Sequence, residues 1–250
     1  MTCKYTEPLK NEKKFQRMAQ LGKELGVPVT ECFLEMEVKT SNGKTIHHHR
    51  QRSHSWTRWA YVMLFCNIAG KDAGGTTYGA GYLGIRDTGG TGKGGEAPFA
   101  YTRALSTTGN LSILSAETTD WGLRAGGGDA SKGIVVGTGD AAESFDSYRL
   151  VTPIANGVGA GQMSYVLSEK MSEAYDAVTR TKSNSLVRYI NNNSGGLITV
   201  KEVGLIGKMT GASSQQPVAL VSRDLLSPFV DVPDAGQLKV TYVISLVYPE

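Results

Sequence analysis

Four histidines fall within an eight-residue stretch: His47, His48 and His49 in a row, then His54. On a strand, His47 and His49 share one face, an i, i+2 pair able to hold a metal ion. No carboxylate or thiolate at ligand-like spacing completes the set nearby. A polar strand titrating near pH ~6.5 accounts for the same residues. A catalytic triad would have to draw its base from this cluster, and neither GxSxG nor HExxH occurs. Asp140, Glu143, Asp146, Glu202 and Asp224 supply carboxylates, but their spacing pairs no two of them for acid–base work. Solvated or turn-capping roles are expected for them.

Two glycine motifs invite a phosphate-binding reading, and both fail it. Gly92-Lys93 lacks the glycine of a phosphate loop, because Asp87 stands five positions before Gly92. Gly94 follows the lysine where Ser or Thr would bind Mg²⁺. Residues 137–142 (GTGDAA) match GxGxxA after a short apolar strand. A dinucleotide site would need a helix to begin there, and the sequence runs on into strand-like residues and Pro153. Cys3, Cys32 and Cys66 are odd in number and widely spaced, which argues against a disulfide framework or a thiolate zinc site. No cofactor is expected. Asn110 and Asn192 open glycosylation-type triplets and are read as chance matches.

Arg50, Arg52 and Arg58 beside Trp56 and Trp59 form a basic-aromatic group that could stack on bases or anchor a protein interface. The net charge is only +3, from 26 basic and 23 acidic side chains, so direct nucleic-acid binding is disfavoured and the interface is preferred. Trp56, Arg58, Trp59, Tyr78, Tyr82 and Trp121 are the contact candidates.

Those residues need elements to carry them. Residues 8–26 have helical spacing, with Phe15, Met18, Ala19 and Leu25 on one face and a stop at Gly26-Val27-Pro28. Alternation then places Cys32, Leu34, Met36 and Val38 on one side of a strand. Asn42-Gly43 turns it, and residues 44–50 return as its partner. Ser55 is a candidate cap for a helix over residues 56–67 that is apolar nearly all round, the mark of a buried or interface helix. Residues 70–97 hold eleven glycines and read as a long arm that gains order by lying on a neighbour. Strands are expected at 99–105, 111–114, 134–136, 148–154, 163–169, 185–191, 197–203, 218–223 and 238–248. In the last, Leu238, Val240, Tyr242, Ile244, Leu246 and Tyr248 make one apolar face.

The 250 residues are 40% hydrophobic and 20% charged, a globular composition with room for one or two domains. No apolar run reaches the ~18 residues of a membrane span. The N-terminus lacks the apolar stretch of a secretory signal, so synthesis in a cytoplasm is expected.

Several segments are similar to structural proteins of tailed bacteriophages: residues 133–139 (GIVVGTG), 146–150 (DSYRL), 159–165 (GAGQMSY), 188–195 (RYINNNSG), 198–205 (ITVKEVGL), 220–225 (LVSRDL) and 236–244 (GQLKVTYVI). The segment 52–56 (RSHSW), opening an apolar helix, is similar too. The resemblance covers about residues 30–66 and 133–248. It implies a non-enzymatic virion component of the tail, neck, fibre or capsid surface, assembling with copies of itself and other virion proteins. It carries over no catalytic residues.

The expected fold is mainly β: a C-terminal antiparallel β-sandwich, jelly-roll-like, with two N-terminal helices and long Gly-rich arms. The expected organisation is an N-terminal helix-hairpin-helix region over 1–69, a Gly-rich extended region over 70–132 and the sandwich over 133–250. Two other readings stay open. One is a carbohydrate- or receptor-binding sandwich, with a glycan as ligand. The other is a metal-dependent enzyme using the histidines of residues 47–54.

Overall fold

A computed structural model describes residues 11–69, 76–93, 119, 122–208 and 217–248. The fold is mainly β, with antiparallel sheets and two helices. Helix α1 (Glu12–Leu25) ends as its sequence demands: Gly26 adopts φ 69°, a left-handed cap that glycine reaches without strain. Strands β1 (Val29–Lys39) and β2 (Thr45–Arg52) form the hairpin expected from Asn42-Gly43, with Gly43 at φ 79°.

Strand β11 (Gly236–Val247) pairs with β1 along its whole length on one side and with β8 (Thr181–Asn192) on the other. The short β6 (Ser164–Tyr165) and β7 (Ser172–Asp176) share the far edge of β8, completing a six-stranded sheet. A second sheet has the order β10 (Val218–Val232), β9 (Ile198–Lys208), β5 (Gly133–Gly137). The two sheets share one core. Leu34, Met36, Leu238, Val240, Leu186 and Ile190 come from the first, and Ile134, Val136, Val203, Leu205, Leu220 and Val230 from the second.

This topology corrects the expected division of the chain. The N-terminal hairpin is not a separate region: β1 and β2 extend the sheet that β11 and β8 begin, so both ends of the sequence build one body. Parallel alternation of apolar residues in β1 and β11 made either strand legible alone. Their pairing spans some two hundred residues and no local signal announces it.

The strand expected at 148–154 is irregular, with a single bridge between Gly137 and Pro153. Its backbone N–H groups at Val151 and Thr152 donate to the Glu202 carboxylate instead of to a strand partner. Of the strand expected at 163–169, Ser164–Tyr165 forms, while the exposed β7 went unforeseen because it has no apolar face. The strands expected at 99–105 and 111–114 lie outside the described residues.

The glycine-rich segment also departs from the expected arm where it is described. Residues 76–93 fold back as a small hairpin, β3 (Ile85–Arg86) against β4 (Gly92–Lys93). Ile85 is fully buried beside Trp59, Val62, Cys66 and Ala219, and Thr88 N–H donates to Val218 O at 2.9 Å. Arg86 lies 3.6 Å from the Tyr148 ring centroid and 5.2 Å from that of Tyr78. One buried aliphatic and a stacked cation offset ordering entropy that glycines alone could not.

Residues 122–132 are tied in by an arginine. Arg188 sits on the inward face of β8 between Leu186 and Ile190, fully buried. Its guanidinium donates to five backbone carbonyls: Val166, Lys132, Ile134, Gly126 and Asp129, at 2.6–3.0 Å. Every N–H of the fork is satisfied, which is what lets a charge reside in the core.

No helix among the described residues is long and apolar enough to cross a membrane.

Candidate functional site

After β2 the chain leaves the first sheet and crosses to the second. Ser53 N–H donates to Cys32 O, Thr57 N–H to Val221 O at 3.0 Å, and Arg223 N–H to Ser55 O. Trp56 bridges Ser222. This crossing consumes residues 53–57 as strand-like backbone, so helix α2 (Arg58–Ala69) starts after Thr57 rather than at the expected Ser55 cap.

Helix α2 lays Trp59, Val62 and Cys66 inward, an i, i+3, i+7 stripe. Tyr61, Leu64 and Phe65 point outward, each about half exposed, at 51%, 51% and 53%. The outward face continues as an aromatic row. The Tyr61 ring is 6.4 Å from Trp56 and 5.8 Å from Phe145, itself an exposed side chain. Arg58 lies 4.9 Å from the Phe145 ring centroid and is paired with Asp146, which lifts its pKa through that hydrogen bond. Arg58 N–H donates to Phe145 O at 2.7 Å, fastening the 140–147 loop to the helix start.

The expected contact residues therefore separate. Trp56, half-buried, and Arg58 flank the exposed face. Trp59 is a core residue: it is 2% exposed, donates from Nε1 to Ser147 O and meets Tyr78 edge-on at 6.0 Å. Tyr78 is exposed, with its hydroxyl directed at Gly90 O. Tyr82 is also exposed, at a turn that precedes β3, its N–H donating to Gly79 O. Trp121 lies outside the described residues.

The basic-aromatic group is not one cluster. Arg50 and Arg52 lie against Phe33, on the outward side of the six-stranded sheet, with centroid distances of 3.8 and 4.7 Å. Arg52 clamps α1 there, bonding Glu12 at 2.6 and 2.8 Å and Glu31 at 3.0 Å. The Arg52 hydrogen bond holds the Glu12 carboxyl below its usual range.

The glycine motifs have structural causes. A Cβ on Gly137 or Gly139 would lie 2.5 or 2.6 Å from Glu202 Oε1. The alanine carbonyls at positions 141 and 142 accept from Arg223 rather than opening a helix. A Cβ on Gly92 would lie 1.8 Å from Thr76 O, so the close approach of two backbones explains that glycine.

Beneath the aromatic row lies a polar group that spacing could not reveal. Asp224 is fully buried; its Oδ2 accepts from Ser53 and Ser222, each at 2.7 Å, and its Oδ1 from His54 N–H at 3.2 Å. Ser53 also meets the Tyr242 hydroxyl. Burial pushes the Asp224 pKa up to about 6, against the two serine hydroxyls that lower it, and Glu143 raises it further. Burial likewise pushes the Cys32 thiol up to about 12, with Asp224 adding to the rise. At that value the thiolate is scarce at neutral pH. Glu202 and Asp224, expected at the surface, are both buried.

Two acidic side chains approach His54. Its Nδ1 lies 3.6 Å from Glu143 Oε2 and 2.9 Å from Ser55 Oγ. In a Ser-His-acid triad the hydroxyl and the acid occupy opposite ring nitrogens. Here both converge on Nδ1, so the proton relay is absent from this trio. His47 and His49, with rings 6.2 Å apart, sit elsewhere along β2. Among the described residues, the His47–His49 pair gains no third ligating side chain; His54 groups instead with Glu143 and Asp224.

No family model, no curated protein and no solved structure matches this chain.

Proposed function

We propose that this protein is a non-enzymatic structural component of a tailed-phage virion, assembling with copies of itself and with other virion proteins. The observation that carries the reading is the outward face of α2. A helix already bearing a buried stripe has no packing need for Tyr61, Leu64 and Phe65 on its other side. Tyr61 continues this face into Trp56 and Phe145, flanked by Arg58, the composition of interface anchors. The segments similar to phage proteins also supply much of the sandwich interior, including Arg188, Glu202 and Arg223.

Sedimentation of the full chain over a range of concentrations tests this. The native chain should self-associate, and the triple variant Tyr61→Ser/Leu64→Ser/Phe65→Ser should remain monomeric with unchanged circular dichroism. A native chain that stays monomeric at every concentration, or a triple variant that associates equally well, rejects α2 as the assembly surface.

A further inference from the structure

We propose that His54, Glu143 and Asp224 form a binding site for one divalent transition cation of the Zn²⁺ class. This inference does not depend on the assembly reading.

The three residues come from three segments: the crossing after β2, the 140–147 loop and β10. One ligating atom from each lies within 4.8 Å of the other two. The donor set of one imidazole and two carboxylate oxygens suits Zn²⁺, whereas Mg²⁺ and Ca²⁺ favour all-oxygen shells. Tetrahedral zinc with bonds of about 2.0–2.2 Å holds its ligands about 3.4 Å apart. The pair His54 Nδ1 and Glu143 Oε2, at 3.6 Å, already has that spacing.

The supporting contacts divide each carboxylate in the manner of metal ligands. Glu143 Oε1 accepts from Leu225 N–H at 2.7 Å, which leaves Oε2 turned to the imidazole. Asp224 Oδ2 takes both serine hydroxyls, while Oδ1 has the His54 N–H alone. Outer contacts of this kind orient ligands and strengthen binding. Ser55 Oγ, 2.9 Å from His54 Nδ1, stands close enough to supply a fourth donor or to hold a water there. Two carboxyl groups converging on one imidazole also form an acidic pocket whose charge a dication would offset. Bound metal would join the helix-bearing crossing to the loop that carries Phe145 and Asp146, bracing the aromatic row from below.

The test is chelator-competition titration of the full chain, stripped of metal, with Zn²⁺ alone as the probe. One Zn²⁺ per chain is expected, with a rise in melting temperature. His54→Gln and Glu143→Gln should each weaken binding by on the order of a hundredfold, and Ser222→Ala by about tenfold. His47→Gln/His49→Gln should leave it within about twofold, which distinguishes this site from the histidine-rich strand. Circular dichroism confirms that each variant is folded. The proposal fails if the native chain takes up no Zn²⁺, or if Zn²⁺ binding survives the loss of His54 and Glu143. It also fails if the His47/His49 variant abolishes binding, or if Mg²⁺ binds as tightly as Zn²⁺.

Discussion

Arg223 and Glu202 meet inside the second sheet with both side chains buried, Nε to Oε2 at 2.6 Å. The arginine also donates to the carbonyls of Ala141 and Ala142, and the glutamate accepts the N–H groups of Val151 and Thr152. The pair thus pins two irregular segments to the sheet. Removing one partner strands a buried charge. Glu202→Ala or Arg223→Ala should cost about 3–5 kcal/mol, measured by denaturant unfolding. A loss below about 1 kcal/mol would mean that water reaches the pair.

Arg188 provides an independent test of a buried cation held by backbone alone. Arg188→Met keeps the length and removes five donors from carbonyls at 126, 129, 132, 134 and 166. Each buried acceptor left alone costs about 1–3 kcal/mol, so the expected loss is at least about 3 kcal/mol. Arg188→Lys should rescue little, because an ammonium has three donors and no planar fork. Hydrogen exchange should show residues 122–134 opening first in either variant. Full protection there would contradict the role assigned to Arg188.

The glycines of residues 137–139 are predicted to answer to Glu202, not to a phosphate. Gly137→Ala or Gly139→Ala should lower stability by roughly 1–3 kcal/mol, since the new methyl meets a fixed carboxylate oxygen. Gly126→Ala, where a Cβ meets nothing within 4 Å, is the control and should be close to neutral. Equal effects at the three positions would refute the packing explanation.

The histidine strand sets a pH dependence. Burial holds His47 and His49 below the usual histidine range; neighbouring histidines add to this, and Asp231 opposes it at His47, as Gln51 does at His49. The folded state therefore keeps these rings neutral where the unfolded chain takes up protons. Stability is full above pH ~6.5 and falls as the pH drops through that value. Asp224, with its raised pKa, favours the folded state as the pH falls through about 6 and opposes this, so the histidine contribution is the part of the melting-temperature change from pH ~7.5 to ~5.5 that a His47/His49 variant lacks. On that acidification His47→Gln/His49→Gln should lose less melting temperature than the native chain, and an equal change in both would assign the effect to other groups.

Much of the sandwich was legible from alternation alone. The inward faces of β1, β8 and β11 repeat every second residue, and the Asn42-Gly43 turn fixes its own hairpin, because pleat and turn geometry are local properties. The two apolar sides of α2 were equally plain, but periodicity could not say that one would face the core and the other solvent.

What the sequence determined by itself was α1, the β1–β2 hairpin, the apolar α2 and the long strands β8 to β11, together with the absence of familiar catalytic spacings. Tertiary structure decided which strands are neighbours, which charges go inside, and that His54 meets Glu143 and Asp224 across 89 and 170 residues. The reason is physical. Secondary structure follows from contacts a few residues apart, whereas a buried charge is tolerated only where distant backbone groups arrive to solvate it. Those arrivals are encoded by the whole chain at once.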